Sequence, residues 1–237
     1  MLEIRNMNLS IVIPCLNEKK TIKKAIFEVL KFFKKSKNSN FEIIIADNGS
    51  TNGSLEIIKK LAKIKNIKFI NVVTRGYGAA LHAGILSAKY PYVLFADADL
   101  SYSFKQVSVF KKQTKNSFDL VLGSRFKGKI HDGSMPFLHR YLGTPILTFL
   151  INLIYKINTT DCNSGMRMIK KSFYTQLNMK NSGMEWASEL LIKTALNKGK
   201  YKEVPISLFP DKRGRKPHLN SWKDGWRHLK VIIFLKP

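Results

Sequence analysis

The sequence predicts an α/β domain, a mostly parallel sheet flanked by helices, followed by a basic amphipathic extension. Three observations carry that reading. Short apolar runs alternate with segments of helical periodicity through the first half of the chain. Most of the predicted strands carry near-continuous apolar runs, as in a sheet covered on both faces. Polar clusters, several containing glycine, follow those strands at the edge where such sheets bind ligands. The 237 residues suffice for one large domain with a buried core.

Taken in order, residues 9–14 (LSIVIP) read as a buried strand, and Ile22, Ala25, Ile26, Val29, Leu30 and Phe33 then recur at helical spacing. Residues 41–47 (FEIIIAD) form a second strand, with Leu55, Ile58, Leu61 and Ala62 marking a second helix. A third strand at 67–73 precedes a helix of small residues at 78–89, and a fourth at 92–97 (YVLFAD) precedes a helix at 103–115. Residues 119–122 are a fifth strand.

Beyond residue 125 the rhythm changes. A basic, glycine-bearing loop at 127–133 leads to an apolar helix at 137–157, a polar segment at 159–167, a helix at 184–197 and a strand at 201–208. The tail, 211–237, holds eight Lys and Arg against two Asp, and its Trp222, Trp226, Leu229 and Ile233 share one helical face. The expected division is a catalytic domain at 1–210 and a basic, membrane-associated tail at 211–237.

The charge selects the partners. Forty-one Lys and Arg against 16 Asp and Glu leave +25, a surface that attracts polyanions, anionic lipid or phosphorylated small molecules. Nucleic acid is disfavoured as a partner, because the aromatics fall inside strands and helices and the paired acids at 97 and 99 would repel a phosphate backbone. Two cysteines, Cys15 and Cys162, make no disulfide framework and no zinc motif, which suits a reducing compartment. Residues 1–7 lack the apolar core of a signal peptide. The longest apolar stretch, 141–155, contains Pro145 and falls short of the roughly 20 residues of a spanning helix. The expectation is a cytoplasmic chain, peripheral on the cytoplasmic face of a membrane.

The chemistry concentrates in LFADADL. A strand that ends in two carboxylates one residue apart places Asp97 and Asp99 on the same side at the sheet's carboxyl edge. Like charges that close call for a cation, and hard oxygen ligands suit Mg²⁺ or Mn²⁺ shared with substrate phosphates. Asp47, closing the second strand, has the character of an acceptor for a nucleobase or ribose, with Asn48 and Gly49 supplying the turn. Pro14 to Glu18 bring polar groups to the same edge. Arg75-Gly-Tyr-Gly78 opens a helix whose N-terminus favours phosphate, and Arg125 adds a guanidinium suited to bidentate phosphate contact.

Together, VIPCLNE, ADNGSTNGS, RGYGAAL, DADL, GSRF and DCNSGMRM occur in the order seen in the family 2 glycosyltransferases of GT-A fold. The closer resemblance is to the dolichyl- or polyprenyl-phosphate sugar synthases, over about residues 9–210. That resemblance implies that Pro14, Leu16, Glu18 and Asp47 line the nucleotide pocket and that Asp97 and Asp99 are the metal-binding pair. It places Arg125, Ser164 and Arg167 near the donor or acceptor phosphates. It also sets Arg213, Arg215 and His218 of the basic segment EVPISLFPDKRGRKPHL near the lipid phosphate. Relatives often continue into membrane helices beyond the point reached by the apolar run 231–235.

The sequence departs from the family pattern in places. Asn48 stands where the DDGS motif has its second Asp, Ser101 stands where mannose synthases often carry Gln, and no QxxRW signature of processive synthases is present. A nucleotidyltransferase would require a Gly-rich basic loop where this chain has PCLNE.

The implied reaction is inverting transfer of a hexose from a UDP- or GDP-linked donor to a polyprenyl phosphate. A phosphate acceptor is already ionised near neutral pH. A hydroxyl of a glycan or lipid, the alternative acceptor, needs a base. Glu185 and Glu189, four apart on the predicted helix, are the candidates for it.

Overall fold

The computed structural model describes residues 8–35, 40–215 and 220–235. The first half alternates as expected: β1 (Leu9–Cys15), α1 (Ile22–Lys35), β2 (Phe41–Asp47), α2 (Ser54–Leu61), β3 (Ile67–Asn71), α3 (Tyr77–Ser87), β4 (Tyr92–Phe95) and α4 (Val107–Gln113). The second half runs β5 (Leu120–Ile130), α5 (Thr144–Tyr155), β6 (Arg167–Lys170), α6 (Lys171–Gln176), α7 (Trp186–Leu196), β7 (Tyr201–Leu208) and α8 (Ser221–Phe234).

The strands form one sheet in the order β3-β2-β1-β4-β6-β5-β7. β1 pairs in parallel with β2 and β4, and β2 with β3, while β6 runs antiparallel to both β4 and β5. β6 alone opposes the rest, so the carboxyl ends of β1, β2, β4 and β5 share one edge. The loop that enters β6 reaches the same edge from the other direction.

Both faces of the sheet are covered. Ile11 and Ile13 pack with Ile22 and Ile26 of α1, whereas Val12 between them packs with Leu81 and Ile85 of α3. Each such fully buried aliphatic side chain contributes about 1.5–3 kcal/mol. The fit of α3 against β1 depends on Gly84, where an added Cβ would lie 2.4 Å from Val12 Cγ1.

Three features differ from the sequence reading. The basic segment at 127–133 is only partly a loop: β5 continues through it to Ile130, paired in parallel with β7 beyond an irregularity between Ser124 and Lys129. β6 and α6 were not expected, because a four-residue strand that begins on an arginine has too little apolar run to register. The apolar helix at 137–157 is a π-helical turn, His139–Gly143, leading into α5.

α5 is amphipathic in an inverted sense. It buries Thr144, Thr148 and Ile151 and turns Ile146, Phe149, Leu153 and Ile154 outward. α8 packs beside it, inserting Asp224, His228 and Ile232 and leaving Trp222, Trp226 and Ile233 exposed. Tyr155 Oη donates to the carbonyls of Ile232 and Leu235, both at 2.7 Å, and His139 Nε2 lies 2.8 Å from Ser221 Oγ. Among the described residues, no helix is long and apolar enough to cross a membrane.

Candidate active site

The loops after β1 and β2 are laced together. Asn17, in left-handed backbone (φ 60°), donates its N–H to Ser50 Oγ at 2.9 Å, and its Oδ1 accepts from the Thr51 N–H at 2.8 Å. Asp47 closes β2 and is buried, with Oδ2 accepting the N–H groups of Gly49 and Ser50 at 3.2 Å each. Its other oxygen, Oδ1, is buried without a partner among the described residues. A buried acceptor left open in this way suits a ligand N–H or O–H.

Asn48 carries the lacing across to β3. Its side-chain amide donates to the carbonyl of Thr74 at 2.7 Å, and its Oδ1 accepts the Gly76 N–H at 2.8 Å. At Gly76 (φ 137°) a Cβ would fall 2.0 Å from the Ser182 carbonyl oxygen, so only glycine brings the start of α3 against the 182–186 segment. The next residue, Tyr77, donates from Oη to Asp97 Oδ1 at 2.9 Å.

Asp97 and Asp99 follow β4 at the same edge. Desolvation, reinforced by the charge of Asp99, pushes the Asp97 carboxyl up to about 7. Asp99 is buried; Oδ1 accepts the Ser101 N–H at 2.9 Å, and Oδ2 pairs with Arg213 Nη2. Glu18 is raised by burial despite two arginines; its Oε1 accepts from Arg215 Nη2 at 2.6 Å and its Oε2 from Thr21 Oγ1 at 3.1 Å. Pro14 is buried in β1 and Leu16 half-buried beside Glu18. Asp97, Asp99, Glu18, Arg213 and Arg215 are thus brought together, while His218 lies outside the described residues.

Four other candidates behave differently from expectation. Arg125 does not hold its guanidinium open for bidentate phosphate contact: Nε and Nη2 grip the two oxygens of buried Asp161 at 2.7 and 2.6 Å. Arg167, 0% exposed, donates to the carbonyls of Ser164, Cys162 and Ala187, so it ties the 161–167 loop to α7. Ser164 is buried, its hydroxyl 3.4 Å from the Met166 N–H. Glu189 is buried with its oxygens occupied: burial would raise its pKa, but Lys193 and the N–H groups of Asn181 and Lys180 hold it below the usual range. Glu185 differs from Glu189, since Oε1 accepts the Gly183 N–H at 3.2 Å and Oε2 is buried without a partner among the described residues.

Sequence reasoning passed over three residues. Tyr77 was noted only as part of a glycine loop, although a Tyr at a predicted helix start beside the sheet's carboxyl edge was a usable signal. Asp161, in DCNSGMRM, is the acid that pairs with Arg125. Arg140, with Arg125, Phe126, Gly128, Ile130, Tyr141 and Pro145, lines a cavity of about 370 Å³ between the outer end of β5 and the π-helical turn. Nothing in its local sequence marked it.

The comparisons with known proteins bear on this geometry. A family model described as Glycosyl transferase family 2 matches residues 10–177. The chain belongs to that family. It is 32% identical over 97% of its length to the low-salt glycan biosynthesis hexosyltransferase Agl6 of Haloferax volcanii, covering 54% of that protein. It is 27% identical over 84% of its length to the dolichyl-phosphate beta-glucosyltransferase ALG5A of Trichomonas vaginalis, covering 64% of it. The chain therefore spans about half to two-thirds of the length of these curated relatives.

Among solved structures, it resembles glucosyl-3-phosphoglycerate synthase from Mycobacterium tuberculosis in complex with Mn²⁺, UDP and glucosyl-3-phosphoglycerate. The TM-score is 0.66 at 18% identity, covering 95% of this chain and 78% of that one. Mannosyl-3-phosphoglycerate synthase from Rubrobacter xylanophilus gives 0.65 at 12%, covering 96% and 72%. At those identities the likeness establishes the GT-A-like fold.

The residues present fit a divalent ion. Among the described residues, no group of three or more His, Cys, Asp or Glu could hold a metal by itself. A carboxylate pair is nevertheless what Mg²⁺ or Mn²⁺ uses when substrate phosphates complete its shell. The raised pKa of Asp97 and the guanidinium already drawn onto Asp99 both mark a site that requires positive charge.

Proposed function

We propose that this glycosyltransferase moves a hexose from a UDP- or GDP-linked donor to a polyprenyl phosphate at an anionic membrane surface, with inversion. The observation that carries the donor half is the convergence at one sheet edge of Asp97, Asp99 and Glu18 with the open acceptor oxygen of Asp47. In this reading Asp47 Oδ1 receives a nucleobase or ribose donor, with Pro14, Leu16 and Glu18 walling the pocket. Asp97 and Asp99 hold Mg²⁺ or Mn²⁺, which when bound offsets the charge developing on the diphosphate leaving group.

The acceptor half rests on the cavity lined by Arg125 and Arg140. The Arg140 guanidinium, with Phe126, Ile130, Tyr141 and Pro145 around it and the Arg125–Asp161 pair at its edge, suits an anionic head carried on an apolar chain. The name of the dolichyl-phosphate relatives supports the same acceptor. An ionised phosphate oxygen attacks the anomeric carbon, the bond from that carbon to the diphosphate breaks, and the nucleoside diphosphate leaves with the electron pair. No general base is required, and Arg213 and Arg215 supply further positive charge beside the reacting phosphates.

The membrane half rests on α5 and α8. Their outward residues Ile146, Phe149, Leu153, Trp222, Trp226 and Ile233 form an apolar display on a chain of net charge +25, with Lys223, Arg227 and Lys230 on α8. Such a helix pair lies at a headgroup boundary, where each cation near anionic lipid adds about 1 kcal/mol. The protein is then peripheral on the cytoplasmic face.

A second reading has one observation in its favour. In that reading Glu185, whose Oε2 is buried without a partner among the described residues, serves as the base for a hydroxyl of a glycan or lipid. The deciding experiment incubates the protein with a panel of nucleotide sugars, Mn²⁺ and polyprenyl phosphate in anionic liposomes, followed by mass spectrometry. A charged glycolipid whose formation survives Glu185→Gln supports phosphate transfer. Product only on hydroxyl acceptors, abolished by Glu185→Gln, supports the second reading.

A further inference from the structure

The segment after β7 crosses directly over the proposed metal pair. Phe209 N–H donates to the Ser101 carbonyl and Lys212 N–H to the Asp99 carbonyl, both at 2.9 Å. Arg215 Nη2 donates to the Leu16 carbonyl at 2.9 Å and to Glu18 Oε1 at 2.6 Å. Between these anchors Arg213 points inward. Its Nη2 pairs with Asp99 Oδ2, its Nη1 lies 4.0 Å from Glu18 Oε1, and its Nε lies 3.2 Å from Asp211 Oδ1. The side chain is 16% exposed.

Both oxygens of Asp99 are therefore engaged, Oδ1 by the Ser101 N–H and Oδ2 by Arg213. A divalent ion at Oδ2 would lie against the guanidinium, and two cations that close repel, so the two compete for Asp99. Without either cation, Asp97, Asp99 and Glu18 would leave several negative charges in a largely desolvated pocket.

We propose that Arg213 is the resident counter-ion of the donor site and is exchanged for the metal when donor binds. The inference rests on the metal-dependent reading above and adds to it a role for Arg213 in the unloaded site. In the unloaded protein Arg213 neutralises Asp99 and Glu18 and lowers the affinity for free metal ion. When metal arrives with a diphosphate, the guanidinium is displaced from Asp99 onto phosphate oxygen, where it makes bidentate contact. The same side chain thus opposes metal alone and favours metal with nucleotide.

The sign reversal makes the proposal testable by a readout other than turnover. Mn²⁺ binding to the full chain is titrated by the EPR signal of the free ion, first with Mn²⁺ alone, then with UDP or GDP added. Arg213→Met should bind Mn²⁺ alone about tenfold more tightly than wild type, the low end for release of a charge-assisted hydrogen bond. It should bind UDP or GDP in the presence of Mn²⁺ about tenfold more weakly. Arg213→Lys, which keeps the charge without the fork, should fall between the two and answers for Arg213→Met if that variant unfolds.

Wild type that binds Mn²⁺ with UDP or GDP, beside variants that bind Mn²⁺ alone no more tightly than wild type, would overturn the exchange and leave the metal reading standing. Wild type that binds no Mn²⁺ with either nucleotide would overturn both.

Discussion

Replacing Asp161 by alanine removes the partner of a guanidinium that the fold has withdrawn from water. Arg125 Nε and Nη2 lie 2.7 and 2.6 Å from its carboxylate oxygens, the Arg125 N–H adds a bond at 2.9 Å, and the carboxylate is fully buried. Breaking such a pair from one side costs about 3–5 kcal/mol, because the remaining charge stays buried without compensation. In a chain of this size each kcal/mol lowers Tm by about 2–4 °C, so Asp161→Ala should melt roughly 6–20 °C below wild type. Asp161→Leu combined with Arg125→Met removes both charges and should recover most of that loss. Arg125→Lys keeps the charge but loses the two-point grip on Asp161, and should melt between wild type and Asp161→Ala. Circular-dichroism melts and urea titrations read the stability arm. An Asp161→Ala protein within about 1 kcal/mol of wild type, the range of an exposed ion pair, would refute the claim that this pair holds the edge of the cavity beside β5.

Three further outcomes are expected. Asp99→Asn should abolish turnover while leaving Tm near wild type, and excess EDTA should silence the wild-type protein; full activity in EDTA would remove the metal from the account. Trp222→Ser with Trp226→Ser alters side chains 88% and 59% exposed, so it should weaken co-sedimentation with anionic liposomes without lowering Tm. Undiminished binding would rule α8 out of the membrane face. The third concerns His228, whose Nδ1 lies 2.7 Å from Ser188 Oγ and which burial pushes down to about 4. Its folded pKa is below the unfolded value of about 6.5, so the unfolded chain takes the proton first as pH falls. Stability should be full above about pH 6.5 and decline by roughly 3 kcal/mol as pH falls towards 4. His228→Gln should flatten that decline in urea unfolding, and an equal decline in both proteins would exclude His228 as its source.

The parts of the fold legible in the sequence were those written in long apolar runs. β1, β2 and β4 bury both faces and are apolar along most of their length, with Ser10 and Glu42 buried against each other at 2.6 Å, and α1 shows its buried stripe at helical spacing. β6 was illegible because its first residue, Arg167, is buried by satisfying carbonyls, a role that no local pattern announces. The extension of β5 through Lys127 to Ile130 was hidden for the opposite reason, since its pairing with β7 leaves exposed basic side chains that read as loop.

The site shows the same division. The placement of Asp47, Asp97 and Asp99 followed from where strands end, a property of the chain itself. Whether an arginine faces a ligand or a carbonyl is decided by tertiary contacts. Arg125, Arg167 and Arg213 look alike in sequence and have three different partners in the folded protein.

The identity of the nucleophile is tested most directly by a matched pair of lipids in anionic liposomes, one a polyprenyl phosphate and the other the corresponding polyprenol. Each is offered with the nucleotide sugar that the protein hydrolyses or transfers. The account predicts a charged phosphodiester-linked glycolipid from the phosphate and no product from the alcohol. Equal or greater transfer to the alcohol, with the phosphate left unconsumed, would contradict it.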